Sequence, residues 1–368
     1  DVHSLHMISE VALGFIAFSI GNEFRVSQLK NIGKQALVVG IVEGLVASLF
    51  VHVAMIALHF ALGDKLPIST AITLGAIATA TAPAATLMVV RQYKAKGSVT
   101  DVLLPVVALD DAVALMVFAI SFGVANAMNN GTFDVKSIVV QPLLEIILSL
   151  ALGAFMGWLL TQLEKLFNSN TNRLNMTIAF VVLTVSLSML EFHIAGIHVH
   201  FSSLLVCMML GTVFCNICPL SHDLMEKADK WTSPLFALFF VISGAELELN
   251  VFADVAIVGI GVVYIIFRCI GKYFGARLSA KATKCDDNIV KYLGITLFPQ
   301  AGVALGMAIK AIELGPDGAI VRNITLFAVL IYEIVGPYLT KIALTKAGDI
   351  KAEGWRSARE EHLASKNQ

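Results

Sequence analysis

Two adjacent carboxylates, Asp110 and Asp111, stand in the middle third of an apolar run spanning roughly residues 101–126. A charge at the centre of a bilayer costs about 2.5 kcal/mol or more, so such a residue pairs with another group or lines a path for ions or protons. Neighbouring carboxylates also repel, which favours a proton on at least one of them. Successive helical residues point about 100° apart, so one acid is free to face an aqueous cavity while the other turns toward a buried base. The candidate base lies in Arg268-Cys-Ile-Gly271-Lys272-Tyr-Phe-Gly275, where Arg268 and Lys272 are one turn apart on one face. Lys272 either snorkels to the membrane edge or stays inside as that partner. A buried lysine can release its proton and an arginine effectively cannot. Lys272 is therefore the candidate for proton coupling, and Arg268 for a structural counter-charge.

Three further acids lie in apolar runs: Glu43, Glu145 and, within Tyr332-Glu333-Ile-Val-Gly-Pro337, Glu333. Glu43 and Glu333 are accessory candidates, the first in a charge network or pH sensing, the second as compensation for a broken helix end. Glu145, near a helix end, is read as interfacial. His193, His198 and His200 cluster on a short connection and are read as surface imidazoles. Cys215-x-x-Cys218 has redox or metal spacing but no second pair, and is read as small apolar packing.

The elements that must position these groups follow from composition. Of 368 residues, 57% are hydrophobic and 14% charged, which would turn the surface of a soluble domain into one apolar patch. The apolar residues come in runs near the roughly 20 residues needed to cross a bilayer. Eleven spans are predicted: 8–24, 35–62, 68–90, 101–126, 138–163, 175–193, 199–217, 233–247, 251–276, 289–311 and 319–344. No soluble domain is inserted, no basic stripe suggests nucleic acid, and the tail after Lys346 reads as a short surface helix. The first run has neither a basic leader nor a small-residue cleavage site, so it is not read as a signal peptide. Loop Lys and Arg fall on alternate connections, with only Lys65, Lys136, Lys310 and Arg322 on the opposite side. That asymmetry predicts a cytoplasmic C-terminus.

The first and eighth spans end alike, Phe15-Ile-Ala-Phe-Ser-Ile-Gly21-Asn-Glu23 against Phe239-Phe-Val-Ile-Ser-Gly244-Ala-Glu246. The helices that follow also begin alike, around Gly40 and Gly259. An offset of seven spans inverts the second copy, as in transporters built from inverted repeats. The third and tenth spans then correspond, and both carry mid-membrane proline, in Thr79-Ala-Thr81-Ala82-Pro83 and Leu297-Phe-Pro299-Gln300-Ala-Gly302. Each proline removes a backbone donor. The choice is between a simple kink and an unwound segment whose carbonyls face a cation, and the matched pair favours unwinding.

Thr81-Ala-Pro83 on a broken helix, Asp110-Asp111 on the next, Gly271-Lys-x-x-Gly275 and Pro299-Gln-Ala-Gly-Val-Ala-Leu-Gly306 together resemble the monovalent cation/proton antiporter superfamily. The likeness runs from about residue 8 to 345, and is nearest the bacterial sodium/proton antiporters and Kef-type potassium/proton systems. It implies an all-α polytopic inverted-repeat fold with two crossing broken helices, of which one or two N-terminal spans precede the given chain. Residues 1–345 form the transmembrane antiporter domain and 346–368 a short cytoplasmic tail. Core helices cover about 35–126 and 251–344, dimerisation or scaffold helices about 8–24 and 175–247, and a linker helix about 138–163.

The resemblance further implies a homodimer in the cell membrane that is no enzyme and needs no cofactor. Its substrates are Na+, with Li+ or K+ as alternatives, and H+. Asp111 would bind cation and proton in turn, while Asp110 salt-bridges Lys272 in the cation-free state. An Asp-Asp pair is typical of electrogenic members working as elevators. The alternative is a K+/H+ antiporter or a Kef-type potassium efflux system. Ala82 stands where relatives often place Ser or Asp, which removes one side-chain ligand.

Overall fold

A computed structural model of the chain describes residues 6–29, 33–129, 141–190, 192–194, 197–199, 201–245 and 255–351. Glu246 of the repeat, His200 and the tail beyond residue 351 lie outside the described residues. The first half comprises α1 (His6–Glu23), α2 (Val26–Leu29), α3 (Lys34–Leu62), α4 (Ile68–Ile77), α5 (Pro83–Gln92), α6 (Ser98–Asn129) and α7 (Gln141–Glu164). Then come α8 (Asn170–Ser188), the strands β1 (Phe192–Ile194) and β2 (Ile197–Val199), α9 (Ser203–Ile217) and α10 (Ser221–Ala245). The remainder is α11 (Val255–Ala282), α12 (Asp287–Thr296), α13 (Gly302–Lys310) and α14 (Pro316–Ala347). Helices α3, α6, α7, α11 and α14 are each long and apolar enough to cross a bilayer.

Helix α3 turns large apolar side chains outward and small and polar residues inward. On α3, Leu37, Ile41, Leu45, Leu49 and Val53 recur every fourth residue on an exposed ridge. The opposite face, Gly40, Glu43, Gly44, Ala47, Ser48 and Val51, is buried. Lipid makes exposed leucine inexpensive and leaves small residues to bring backbones together. Gly271 and Gly275 of α11 do this against α3: a Cβ on Gly271 would lie 2.7 Å from Ala47 Cα, and one on Gly275 2.8 Å from Glu43 Cα. The two helices therefore touch backbone to backbone where their charged residues stand.

Both proline-bearing spans are interrupted. Helix α4 stops at Ile77 and α5 starts at Pro83, where the missing N–H belongs to an end group with no helical partner anyway. Helix α12 stops at Thr296 and α13 resumes at Gly302. Ten residues of α4 or α12 rise about 15 Å, half the thickness of a hydrocarbon core.

Three expectations need correction. The run predicted at 233–247 belongs to a helix starting at Ser221, because Lys227–Asp223 and Lys230–Glu226 form i,i+4 pairs at 2.5 and 2.7 Å that support helix through the polar segment. Likewise α11 continues past residue 276 to Ala282 through its charged end. The connection carrying His193 and His198 holds an antiparallel hairpin rather than an open loop, with these two residues opposite each other. Its β-branched and aromatic triplets flank Ala-Gly, which is hairpin chemistry.

Candidate ion-binding site

The unwound segments 78–82 and 297–301 cross, and the crossing is hydrogen-bonded. Ala82 N donates to Pro299 O at 2.9 Å. Thr81 Oγ1 donates to Leu297 O and Thr86 Oγ1 to Thr296 O, each at 3.3 Å. Gln300 Nε2 donates to Ile77 O at 2.9 Å and is joined to the Tyr264 hydroxyl. Pro299 packs under Gly336 of α14, where a Cβ would come within 2.9 Å of its ring.

Arg268 fills the space between the two broken ends. Its Nε donates to Ala78 O at 3.0 Å, Nη1 to Phe298 O at 2.7 Å, and Nη2 to Ala80 O. Its guanidinium also lies 4.6 Å from the centroid of the Tyr332 ring. Helix C-terminal carbonyls lack intrahelical donors and carry partial negative charge, so one planar cation with five N–H groups suits two such ends at once. Arg268 is thus a counter-charge to helix ends rather than to a carboxylate.

One turn along α11, the Lys272 ammonium lies 2.6 Å from Asp110 Oδ2 and 3.1 Å from Glu43 Oε2. It also donates to Thr79 O. Lys272, Asp110 and Glu43 are fully buried and Asp111 is 3% exposed. Lys272 does not snorkel; it is surrounded by acceptors from α3, α6 and the α4 end.

The geometry sorts the candidates. Asp110, Lys272, Arg268, Glu43, Thr79, Thr81, Ala82, Pro299 and Gln300 meet at or beside the crossing, and Pro83 opens α5 there. Asp111 sits beside Asp110 in α6. Glu333 does not join them: it lies on the exposed face of α14, and the broken ends are capped by Arg268. The carbonyls of residues 77–80 and 297–299 each accept a hydrogen bond from the chain itself. Carboxylates therefore become the principal oxygens left to meet a cation. Residue reading missed Tyr264 and Tyr332; the spacing Tyr264, Arg268, Lys272, one per turn, is the signal that points to the first. Cys215 and Cys218 are buried thiols in no disulfide, and no cluster of three or more metal-ligating side chains occurs among the described residues.

Residues 1–346 match the family described as sodium/hydrogen exchanger, transmembrane. The chain belongs to that family. It is a multi-pass membrane protein, and its family and structural neighbours are transporters, not enzymes. A curated relative, the ammonium/H(+) antiporter subunit AmhT of Alkalihalophilus pseudofirmus, is 23% identical over 249 residues, covering 67% of this chain and 60% of the relative. The chain thus matches less than two thirds of that exchanger relative's length.

Its fold resembles the sodium proton antiporter MjNhaP1 from Methanocaldococcus jannaschii at pH 8. The TM-score is 0.71 at 18% identity, covering 94% of this chain and 86% of that one. An electron-microscopy structure of the same antiporter matches with a TM-score of 0.65 at 15% identity, covering 94% and 84%.

Proposed function

We propose that this exchanger-family chain is a secondary antiporter trading a monovalent cation, sodium foremost and lithium next, for protons across the cell membrane. The observation that carries the reading is the buried Asp110–Lys272 pair, with Asp111 beside it, at the crossing of two interrupted helices. Asp110, Asp111 and Glu43 against Arg268 and Lys272 leave one net negative formal charge among five groups, none more than 3% exposed. One monovalent cation or one proton neutralises that charge, and a divalent ion overshoots it. Asp111 holds the cation or a proton but not both, so each displaces the other.

Coupling follows if the site moves only when Asp111 is occupied. In this scheme α3–α6 and α11–α14 move as an elevator against α1 and α8–α10, with α7 as the link. Two copies pair through the static helices, and the C-terminal end of α14 faces the cytoplasm. The inverted-repeat, eleven-span reading suits this division, since the breaks fall in the third and tenth spans. Asp110–Lys272 re-forms as the cation leaves, and a second proton taken up by the same buried group makes the exchange electrogenic.

A second reading replaces sodium by ammonium, which the curated relative's name favours, or by potassium. Cation-driven proton flux in proteoliposomes, with each of the four cations and with membrane potential clamped or free, decides among them. Asp111→Asn should abolish flux with every cation. Measurable exchange in that variant refutes the assignment.

A further inference from the structure

The Lys272 ammonium has three N–H donors, and three helical elements supply acceptors for them. Asp110 Oδ2 of α6 is 2.6 Å away, Glu43 of α3 offers Oε1 at 3.2 Å and Oε2 at 3.1 Å, and Thr79 O at the α4 break accepts the third. Glu43 thus keeps both oxygens within ion-pair distance of the lysine, with Oε1 accepting the hydrogen bond, while Asp110 accepts a shorter one through Oδ2 alone. Asp110 Oδ1 and Thr79 Oγ1 are buried and accept or donate no hydrogen bond among the described residues. Both side chains lie against Gly44, where a Cβ would be 3.0 Å from Asp110 Oδ1 and 2.9 Å from Thr79 Cγ2.

We propose that Glu43 is the resident counter-ion of Lys272, freeing Asp110 to leave the lysine and join Asp111 in holding the transported cation. The inference rests on the exchange reading above and says which residue makes that exchange affordable. Removing the only anionic partner from a buried ammonium is strongly destabilising. With Glu43 in place, the ammonium keeps a carboxylate and a carbonyl when Asp110 turns away. Arg268 does not compete for Glu43, since its guanidinium is engaged with Ala78, Ala80 and Phe298. The pairing is built into the backbone: Gly275 presses α11 onto α3 at Glu43 itself. Glu43 is a positioning residue, acting on the cation through Lys272 and Asp110.

The test uses the whole chain in proteoliposomes, with cation-driven proton flux measured against cation concentration. A parallel titration in detergent follows thermal stabilisation by sodium chloride against choline chloride. Glu43→Gln keeps the shape and removes the charge, so Asp110 becomes the lysine's sole carboxylate partner. The KM for the cation should rise at least about tenfold, a binding loss of roughly 1.4 kcal/mol, with kcat within about twofold. The stabilisation curve should move to higher sodium by the same factor. Glu43→Asp, which restores the charge on a shorter arm that reaches Lys272 less closely, should fall between parent and Glu43→Gln, with KM raised severalfold. A Glu43→Gln variant with parental KM, or with kcat lost at parental KM, overturns the proposal. Should Glu43→Gln not fold, as judged by size-exclusion profile, Glu43→Asp decides: a KM raised severalfold supports the role and an unchanged KM overturns it. If the parent protein shows no flux with any cation, the antiport reading itself fails and takes this inference with it.

Discussion

Replacing Arg268 by methionine should destabilise the protein far more than losing one surface charge would. The side chain is fully buried and caps three main-chain carbonyls drawn from both interrupted helices, Ala78, Ala80 and Phe298. Methionine fills much of the volume and donates nothing. Each orphaned buried carbonyl costs about 1–3 kcal/mol, so the three together cost about 3–9 kcal/mol. Losing the cation–π contact with Tyr332 adds about 0.5–2 kcal/mol. At a slope of about 2 °C per kcal/mol for a large domain, the carbonyls alone lower the melting midpoint by roughly 6–18 °C. The assay is thermal unfolding of purified protein in detergent, followed by intrinsic tryptophan fluorescence and by the monodisperse fraction surviving a fixed heating step. Arg268→Lys should fall between parent and Met, because one ammonium keeps the charge but cannot reproduce the planar fork spanning both ends. An Arg268→Met variant melting within about 2 °C of the parent refutes the view that Arg268 holds the two broken ends together.

Gly275→Val tests the α3–α11 contact. A Cβ there meets the Glu43 Cα at 2.8 Å and its carbonyl at 2.9 Å, backbone that cannot swing aside. An overpacking cost of about 1–3 kcal/mol should accompany a raised cation KM, seen by melting and by flux; unchanged values for both reject the contact. Asp349→Ala removes the carboxylate that accepts from Thr100 N at 2.7 Å and Thr100 Oγ1 at 2.8 Å, at the start of the helix carrying Asp110. Loss of this cap should cost about 1–2 kcal/mol, a midpoint drop of roughly 2–4 °C, with flux at saturating cation retained. A midpoint that does not move would show that α6 needs no cap from the end of α14.

The acid pair and the broken helices were legible because their signals are local. Proline at 83 and 299 lacks a donor wherever it sits, and Asp110-Asp111 in an apolar run demands compensation whatever the partner. The roles of the two cations on α11 were only half legible. Arg268 and Lys272 share a face, yet which meets carbonyls and which meets carboxylates depends on the depth at which α11 crosses α3 and the two breaks. Glu333 shows the same limit. It adjoins Tyr332 in sequence, but the rotation of α14 turns Tyr332 inward to Arg268 and leaves Glu333 on the exposed face. A helix apolar on every side carries no periodic mark of its own rotation.

Residue order by itself therefore determined that the chain lives in a membrane, where its helices are interrupted, and that Asp110 and Asp111 are buried at a cost needing compensation. Hydrophobic length, a missing N–H and a charge in lipid are properties of short segments. Only the tertiary structure decided that Glu43 shares Lys272 with Asp110, that Arg268 caps both broken ends, and that the unwound carbonyls serve the chain's own donors. Those facts rest on contacts between residues as far apart as Glu43 and Lys272, set by how closely small side chains let the backbones approach.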